Sequence, residues 1–132
     1  MISFFDADKA DHAHLRLLYL LLAERRPEES ISHVCLPSWA DHVNFVQSSP
    51  YATWLLAYDG ACVGTGYVTR RGEIGVTVFK EHKRKGYGRE IVRKLMRDHG
   101  GQYANINPMN KASIALFESL GFSHVQSTYR HD

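Results

Sequence analysis

Residues 83–89 read Lys-Arg-Lys-Gly-Tyr-Gly-Arg, three cations running directly into two glycines one residue apart. Apolar residues at 91, 92, 95 and 96 then recur at helical spacing, with Arg89, Glu90, Arg93, Lys94 and Arg97 opposite them, so an amphipathic helix opens at Gly86-Tyr87-Gly88. The start of a helix presents unpaired N–H groups and the positive end of its dipole. Glycine removes side chains where a bulky anion must touch backbone. Together these predict a diphosphate at the Gly86-Tyr87-Gly88 helix start, with Lys83, Arg84 and Lys85 adding charge. No Gly-Lys-Ser/Thr follows, which argues against a nucleoside-triphosphate loop, and the third glycine and later acid of a dinucleotide fingerprint are missing. A bare Gly-x-Gly is a weak signal, and a tight turn beside a solvated basic face is the plain alternative.

The elements around this segment are predicted as follows. An apolar run at residues 2–5 forms a first strand, and leucines at 15, 18 and 22 mark one face of a helix over residues 11–25, stopped by Pro27. Ser38 followed by Asp41 caps a helix over residues 39–47. Strands over 52–58 and 61–69 flank the Asp59-Gly60 turn, and Arg71-Gly72 leads into a third strand over 73–79. Gly64, Gly66 and Gly75 inside these strands mark bulges or the close approach of other groups. A short strand over 102–106, a helix from Asn110 to Leu120 with Gly121 beyond its end, and a last strand over 122–129 complete the chain. The expected organisation is one α/β domain over residues 1–132.

Composition agrees with a globular protein: 132 residues, 44% hydrophobic and 23% charged, with a formal charge of +2. Half of the 16 Lys and Arg residues lie between positions 80 and 97, which concentrates basic charge at one anionic ligand. Apart from Tyr87 no aromatics interleave with them, which disfavours nucleic acid as the partner. The longest apolar run, residues 17–23, is too short to span a bilayer, and the first residues lack the pattern of a signal peptide. A cytoplasmic protein with two free, buried thiols at Cys35 and Cys62, no membrane partner and no metal is therefore expected, as a monomer or homodimer.

The stretch EIGVTVFKEHKRKGYGREIVRKLM, residues 73–96, resembles the acetyl-CoA-binding motif of the GNAT superfamily of N-acyltransferases, whose loop reads Gln/Arg-x-x-Gly-x-Gly/Ala. Lys83 stands where Arg or Gln is usual, and Gly86 and Gly88 match. NKASIALFESLGF, residues 110–122, is similar to the family's second motif, at its usual separation. The resemblance implies a GNAT-like mixed, largely antiparallel sheet flanked by about four helices. It also implies acetyl-CoA as cosubstrate. The backbone at Val76 and Val78 would pair with the pantetheine arm. The segment Lys83, Arg84, Lys85, Gly86, Tyr87, Gly88 and Arg89 would hold the diphosphate, and Asn110 and Ser113 would touch the arm from the other side.

The implied reaction moves an acetyl group to a primary amine by direct attack, and needs a base, an oxyanion donor such as the N–H near Val78, and a proton for the departing thiolate. Glu73, opening the strand beside the expected thioester, is the candidate base. Phe117 occupies the position where many family members carry a tyrosine, so the acid falls to Tyr103, Tyr87, Ser119, a water, or no group at all. His33, His42 and Trp54 lie in the region that lines the family's acceptor pocket. Residues 31–47, Tyr51 and residues 105–108 look similar to acetyltransferases of nucleotide-sugar and surface-polysaccharide pathways, making an amino-sugar nucleotide the expected acceptor. A protein or peptide amine, and a non-catalytic acyl-CoA sensor, are the alternatives. His12 and His14 have no partner that the sequence names.

Overall fold

A computed structural model of the protein describes residues 1–26 and 35–131. Its elements run β1 (Ser3–Asp6), α1 (His12–Ala23), α2 (Trp39–Gln47), β2 (Thr53–Asp59), β3 (Ala61–Val68), β4 (Glu73–Val78), α3 (Tyr87–His99), β5 (Tyr103–Ala104) and α4 (Lys111–Ser119). Local chemistry fixes their ends. Asp11 caps α1 by accepting the His14 N–H at 3.0 Å, while the His14 ring accepts the Asp11 N–H at 3.2 Å; a histidine here closes the reciprocal pair that glutamate usually closes. His14 thus has a partner after all, and it also stacks on Phe5. Ser38 accepts the Asp41 N–H at 3.1 Å and starts α2 where the sequence predicted.

The five strands lie in chain order, β1-β2-β3-β4-β5. The first four pair antiparallel and β5 joins β4 in parallel. The mixed, largely antiparallel sheet expected from the resemblance is therefore present. Its two faces bury two cores. On one, Ile91, Val92 and Leu95 of α3 pack with Phe117 of α4 onto Leu55, Ala57, Val68 and Ile74. On the other, Leu15, Leu18 and Leu21 of α1 and Val46 of α2 cover Leu56 and Phe79. The buried stripe of α1 is Leu15, Leu18 and Leu21, with Leu22 half-buried at its margin.

The strand glycines allow this packing. A Cβ on Gly66 would strike Ile91 and lie 2.9 Å from Leu95 Cδ1, so α3 rests directly on the backbone of β3. Gly75 makes room for the ring of Tyr67 on the opposite face.

Three expectations are corrected. β5 is two residues long rather than five, and the segment 122–129 forms no strand. Phe122 still packs edge-on against Phe117, but Val125 is 75% exposed and Tyr129 93% exposed, so beyond Phe122 the apolar residues of that tail cover no surface. Cys62 is buried and free, as expected, but Cys35 is free and exposed.

Candidate functional site

The site lies where β4 and β5 part. β5 pairs only as far as Ile74 with Ala104. Backbone groups on an antiparallel strand alternate between its two edges. The Thr69 N–H donates to the Glu73 carbonyl and the Phe79 N–H donates to the Val63 carbonyl, each at 2.9 Å, so the odd-numbered residues of β4 face β3. Val76 and Val78 therefore turn their N–H and C=O toward the edge that β5 has left. A cleft of about 150 Å³ opens there, lined by Val76, Thr77 and Val78, by Gly88 of α3, by Asn110, Ser113 and Leu116 at α4, and by the cations Arg25 and Lys83.

One wall of the cleft is the start of α3. Arg84 (φ 66°) and Gly86 (φ 86°) are both left-handed, curling the chain ahead of the helix so that successive amides form a concavity suited to an anion. The Glu90 N–H closes the first turn on the Gly86 carbonyl at 3.2 Å, and the amides ahead of it point forward, out of the helix start. A Cβ on Gly86 would meet nothing within 4 Å. The left-handed φ favours glycine there, and the space in front is open for a ligand. On Gly88 a Cβ would lie 3.4 Å from Leu116 and 3.8 Å from Val78, inside the mouth of the cleft. Arg84 and Lys85 stand exposed beside it. The Arg89 guanidinium donates to Ser119 Oγ at 2.6 Å, so its side chain ties α3 to α4 and only its amide faces forward.

The other wall is α4. Asn110 Oδ1 accepts the Ser113 N–H at 3.1 Å, capping the helix while the residue lines the cleft.

Glu73 alternates with the buried Ile74 and so stands on the α1–α2 face of the sheet. Its carboxylate accepts from Thr69 Oγ1 at 3.0 Å on one oxygen and from Asn105 Nδ2 on the other. Beside it on the same face, Tyr67 stacks on Tyr51 with ring centres 3.9 Å apart, and Trp54 and Phe45 close edge-on against Tyr51. Burial, with Tyr67 alongside, pushes the Tyr51 hydroxyl far above its ordinary pKa, which keeps it protonated. Trp54 spends its indole N–H on Thr65 Oγ1 at 2.9 Å.

The remaining predicted residues are placed as follows. Tyr103 pairs with Glu73 in register, is 53% exposed, and its ring edge lies 4.0 Å from where a Gly72 Cβ would be, at the end of β4 remote from Val76 and Val78. The Tyr87 hydroxyl donates to Asp59 Oδ2 at 2.7 Å, and this bond raises its pKa and makes it a poorer acid. Ser119 donates to the Leu116 carbonyl while accepting from Arg89, and Phe117 is buried. His42 is corrected: only 1% exposed, it packs between α1 and α2 with Nε2 donating to the Leu15 carbonyl at 2.9 Å, and it offers an amine no surface. His33 lies outside the described residues. Among those residues no group of three or more His, Cys, Asp or Glu side chains could hold a metal, and no helix is long and apolar enough to cross a membrane.

Thr69 and Tyr67 escaped the sequence reading as parts of this site, and Asn105 entered it only within the acceptor-side string of residues 105–108, not as a partner of Glu73. The position of Asn105 two residues past Tyr103, hence on the same face, was the signal that could have linked it to Glu73. Arg25 and Thr69 carried no motif at all.

The family model for the acetyltransferase (GNAT) family matches residues 15–122. A curated relative, the uncharacterized N-acetyltransferase YfmK of Bacillus subtilis (strain 168), is 32% identical over 97 residues, covering 67% of this chain; the match spans only 64% of the relative's length. Among solved structures, the ribosomal-protein-alanine N-acetyltransferase from Brucella melitensis superposes with a TM-score of 0.73 at 22% identity, over 96% of this chain and 86% of the other. A GNAT superfamily phosphinothricin acetyltransferase from Sinorhizobium meliloti, in complex with AcCoA, superposes at 0.71 and 21% identity, over 92% and 75%. These two likenesses establish the fold. With both motifs lying inside the matched residues, the chain belongs to the acetyltransferase (GNAT) family.

Proposed function

We propose that the protein is an acetyl-CoA-dependent N-acetyltransferase whose acceptor is a primary amine, attacking the thioester directly. The observation that carries this is the meeting of three features around one cleft: the open β4 edge at Val76 and Val78, the left-handed Gly86 opening α3, and the Asn110 cap of α4. The cosubstrate fits them. The edge offers backbone groups to an extended amide-bearing arm. The amides of residues 84–89 and the Lys83, Arg84 and Lys85 cations suit a diphosphate. Asn110 and Ser113 face the arm from across the cleft. The structural relative from Sinorhizobium is itself in complex with AcCoA.

Acetyl-CoA supplies the activated acyl group: the amine nitrogen forms the new C–N bond as the C–S bond breaks and its electrons leave on sulfur. Glu73 takes the proton that the amine must lose. The Val78 N–H, on the open edge, donates toward the negative charge developing on the acyl oxygen. Tyr87 and Ser119 are engaged elsewhere, Phe117 has no proton to give and Tyr103 stands at the far end of β4, so water returns a proton to the thiolate. The amine arrives over the face of Tyr51, Trp54 and Tyr67. That aromatic wall suits an acceptor carrying a ring system, and an amino-sugar nucleotide is the acceptor proposed.

Thiol release from acetyl-CoA, measured over a panel containing an amino-sugar nucleotide, an alanine-headed peptide, a free amino acid and spermidine, tests this. Turnover is expected with the amino-sugar nucleotide, and Glu73→Gln should slow it without weakening acetyl-CoA binding. Cosubstrate binding with no turnover on any amine would leave a non-catalytic acyl-CoA sensor instead.

A further inference from the structure

Glu73 is held from both neighbouring strands, and the two anchors are not equivalent. Thr69, at the end of β3, gives its hydroxyl to Oε1 at 3.0 Å; the same oxygen of Thr69 accepts the Glu73 N–H at 3.1 Å and the Arg71 N–H at 3.3 Å, so it belongs to the turn behind the strand. Asn105 lies on the other side and gives its amide N–H to Oε2. It follows Ala104, the last paired residue of β5, and so occupies the fork where the two strands separate.

Because β5 runs parallel to β4 and Tyr103 sits opposite Glu73, Asn105 is two residues further along the sheet, about 6.6 Å at the usual rise. That direction is the one in which the cleft opens. The side chain of Glu73 therefore leans from its own level toward Gly75, where the ladder ends and the free edge of Val76 begins. Thr69 alone would tether the carboxylate to the turn behind it.

We infer that Asn105 is a positioning residue, drawing the Glu73 carboxylate forward to the fork where an amine must give up its proton. The inference rests on Glu73 being the base. It is compatible with that role, because a carboxylate oxygen that accepts one hydrogen bond keeps a second lone pair for an incoming proton. The proton passes from the amine nitrogen to Glu73, the nitrogen lone pair forms the C–N bond, and the C–S electrons leave on sulfur; Asn105 exchanges nothing and fixes where the carboxylate waits.

A merely structural role, clamping β4 to β5, predicts a different pattern, so the test reads stability, binding and rate together. Asn105→Leu keeps the volume and removes the donor, and Asn105→Gln keeps an amide one methylene further out. With the panel amine that turns over fastest, Asn105→Leu should lower kcat about 10- to 100-fold, since a misplacement near 1 Å costs that much. KM for acetyl-CoA should not move, and Asn105→Gln should recover part of the loss. In a Glu73→Gln background the Asn105→Leu change should cost nothing more. An unchanged kcat for Asn105→Leu, or the same proportional loss with and without Glu73, overturns the inference. An unchanged rate for Glu73→Gln alone is a separate failure that removes Glu73 as base, and turnover with no amine at all sinks both.

Discussion

The Tyr87 hydroxyl donates a 2.7 Å hydrogen bond to Asp59 Oδ2, fastening the first residue of α3 to the turn between β2 and β3. The bond acts on both partners in the consistent sense. It lowers the Asp59 pKa and raises that of Tyr87. It also anchors the helix start whose amides face the cleft, while taking Tyr87 out of contention as a proton donor. Tyr87→Phe should therefore lower the melting temperature and weaken acetyl-CoA binding while leaving kcat at saturating cosubstrate unchanged. A large fall in kcat would return Tyr87 to the list of acids.

Gly66 is a packing glycine. Its missing Cβ is where Ile91 and Leu95 lie on β3, and both side chains are fully buried. Gly66→Ala should cost about 1–3 kcal/mol, as overpacked cores do. Denaturant unfolding measures it, and a variant as stable as the parent would mean that α3 can move off the sheet.

Asn110 combines a cap with a place in the cleft wall, and the two roles separate by substitution. Asn110→Ala should lose about 1 kcal/mol of stability, while Asn110→Asp keeps the cap. Both should bind acetyl-CoA more weakly if the amide touches the cosubstrate. Full affinity in Asn110→Asp would confine the residue to capping.

His42 gives the protein an acid-sensitive joint between α1 and α2. Burial lowers its pKa below 6.5, and the hydrogen bond to Leu15 offsets this in part. The unfolded chain protonates this ring at higher pH than the folded one does, so stability is intact above that ordinary value and falls as pH drops below it. Calorimetric melting between about pH 7.5 and about pH 5.5 should show a smaller decline for His42→Gln than for the parent. Parallel declines would assign the effect to other groups.

The helices were legible because their ends carry chemistry: Ser38, Asn110 and Gly86 each set a boundary through a side chain or a left-handed φ. The hairpin at Asp59-Gly60 was legible for the same reason, with Gly60 at φ 80°. β5 was not, since a two-residue strand is defined by its neighbour and not by its own pattern. The segment after Gly121 alternates enough to look like a strand, but pairing needs a free edge, which no residue pattern in the segment itself announces. In the site, the loop around Gly86 declared itself through spacing. Glu73 declared itself only through its place on β4. Its anchors Thr69 and Asn105 come from other strands, and long-range juxtaposition of that kind leaves no local signal. His42 misled because a histidine's spacing is the same whether the ring faces a ligand or a helix carbonyl.

Everything proposed for the cleft depends on the turn at Gly86 holding the phosphates of coenzyme A. Titration calorimetry of acetyl-CoA into the parent protein and into Gly86→Glu tests this most directly. The open space before Gly86 accommodates the new side chain, so the variant should fold, although the left-handed φ costs it roughly 1–2 kcal/mol. The expected result is one-site binding to the parent and no measurable heat with the folded variant, whose carboxylate stands where the diphosphate would lie. Equal affinity for the two proteins would contradict the assignment.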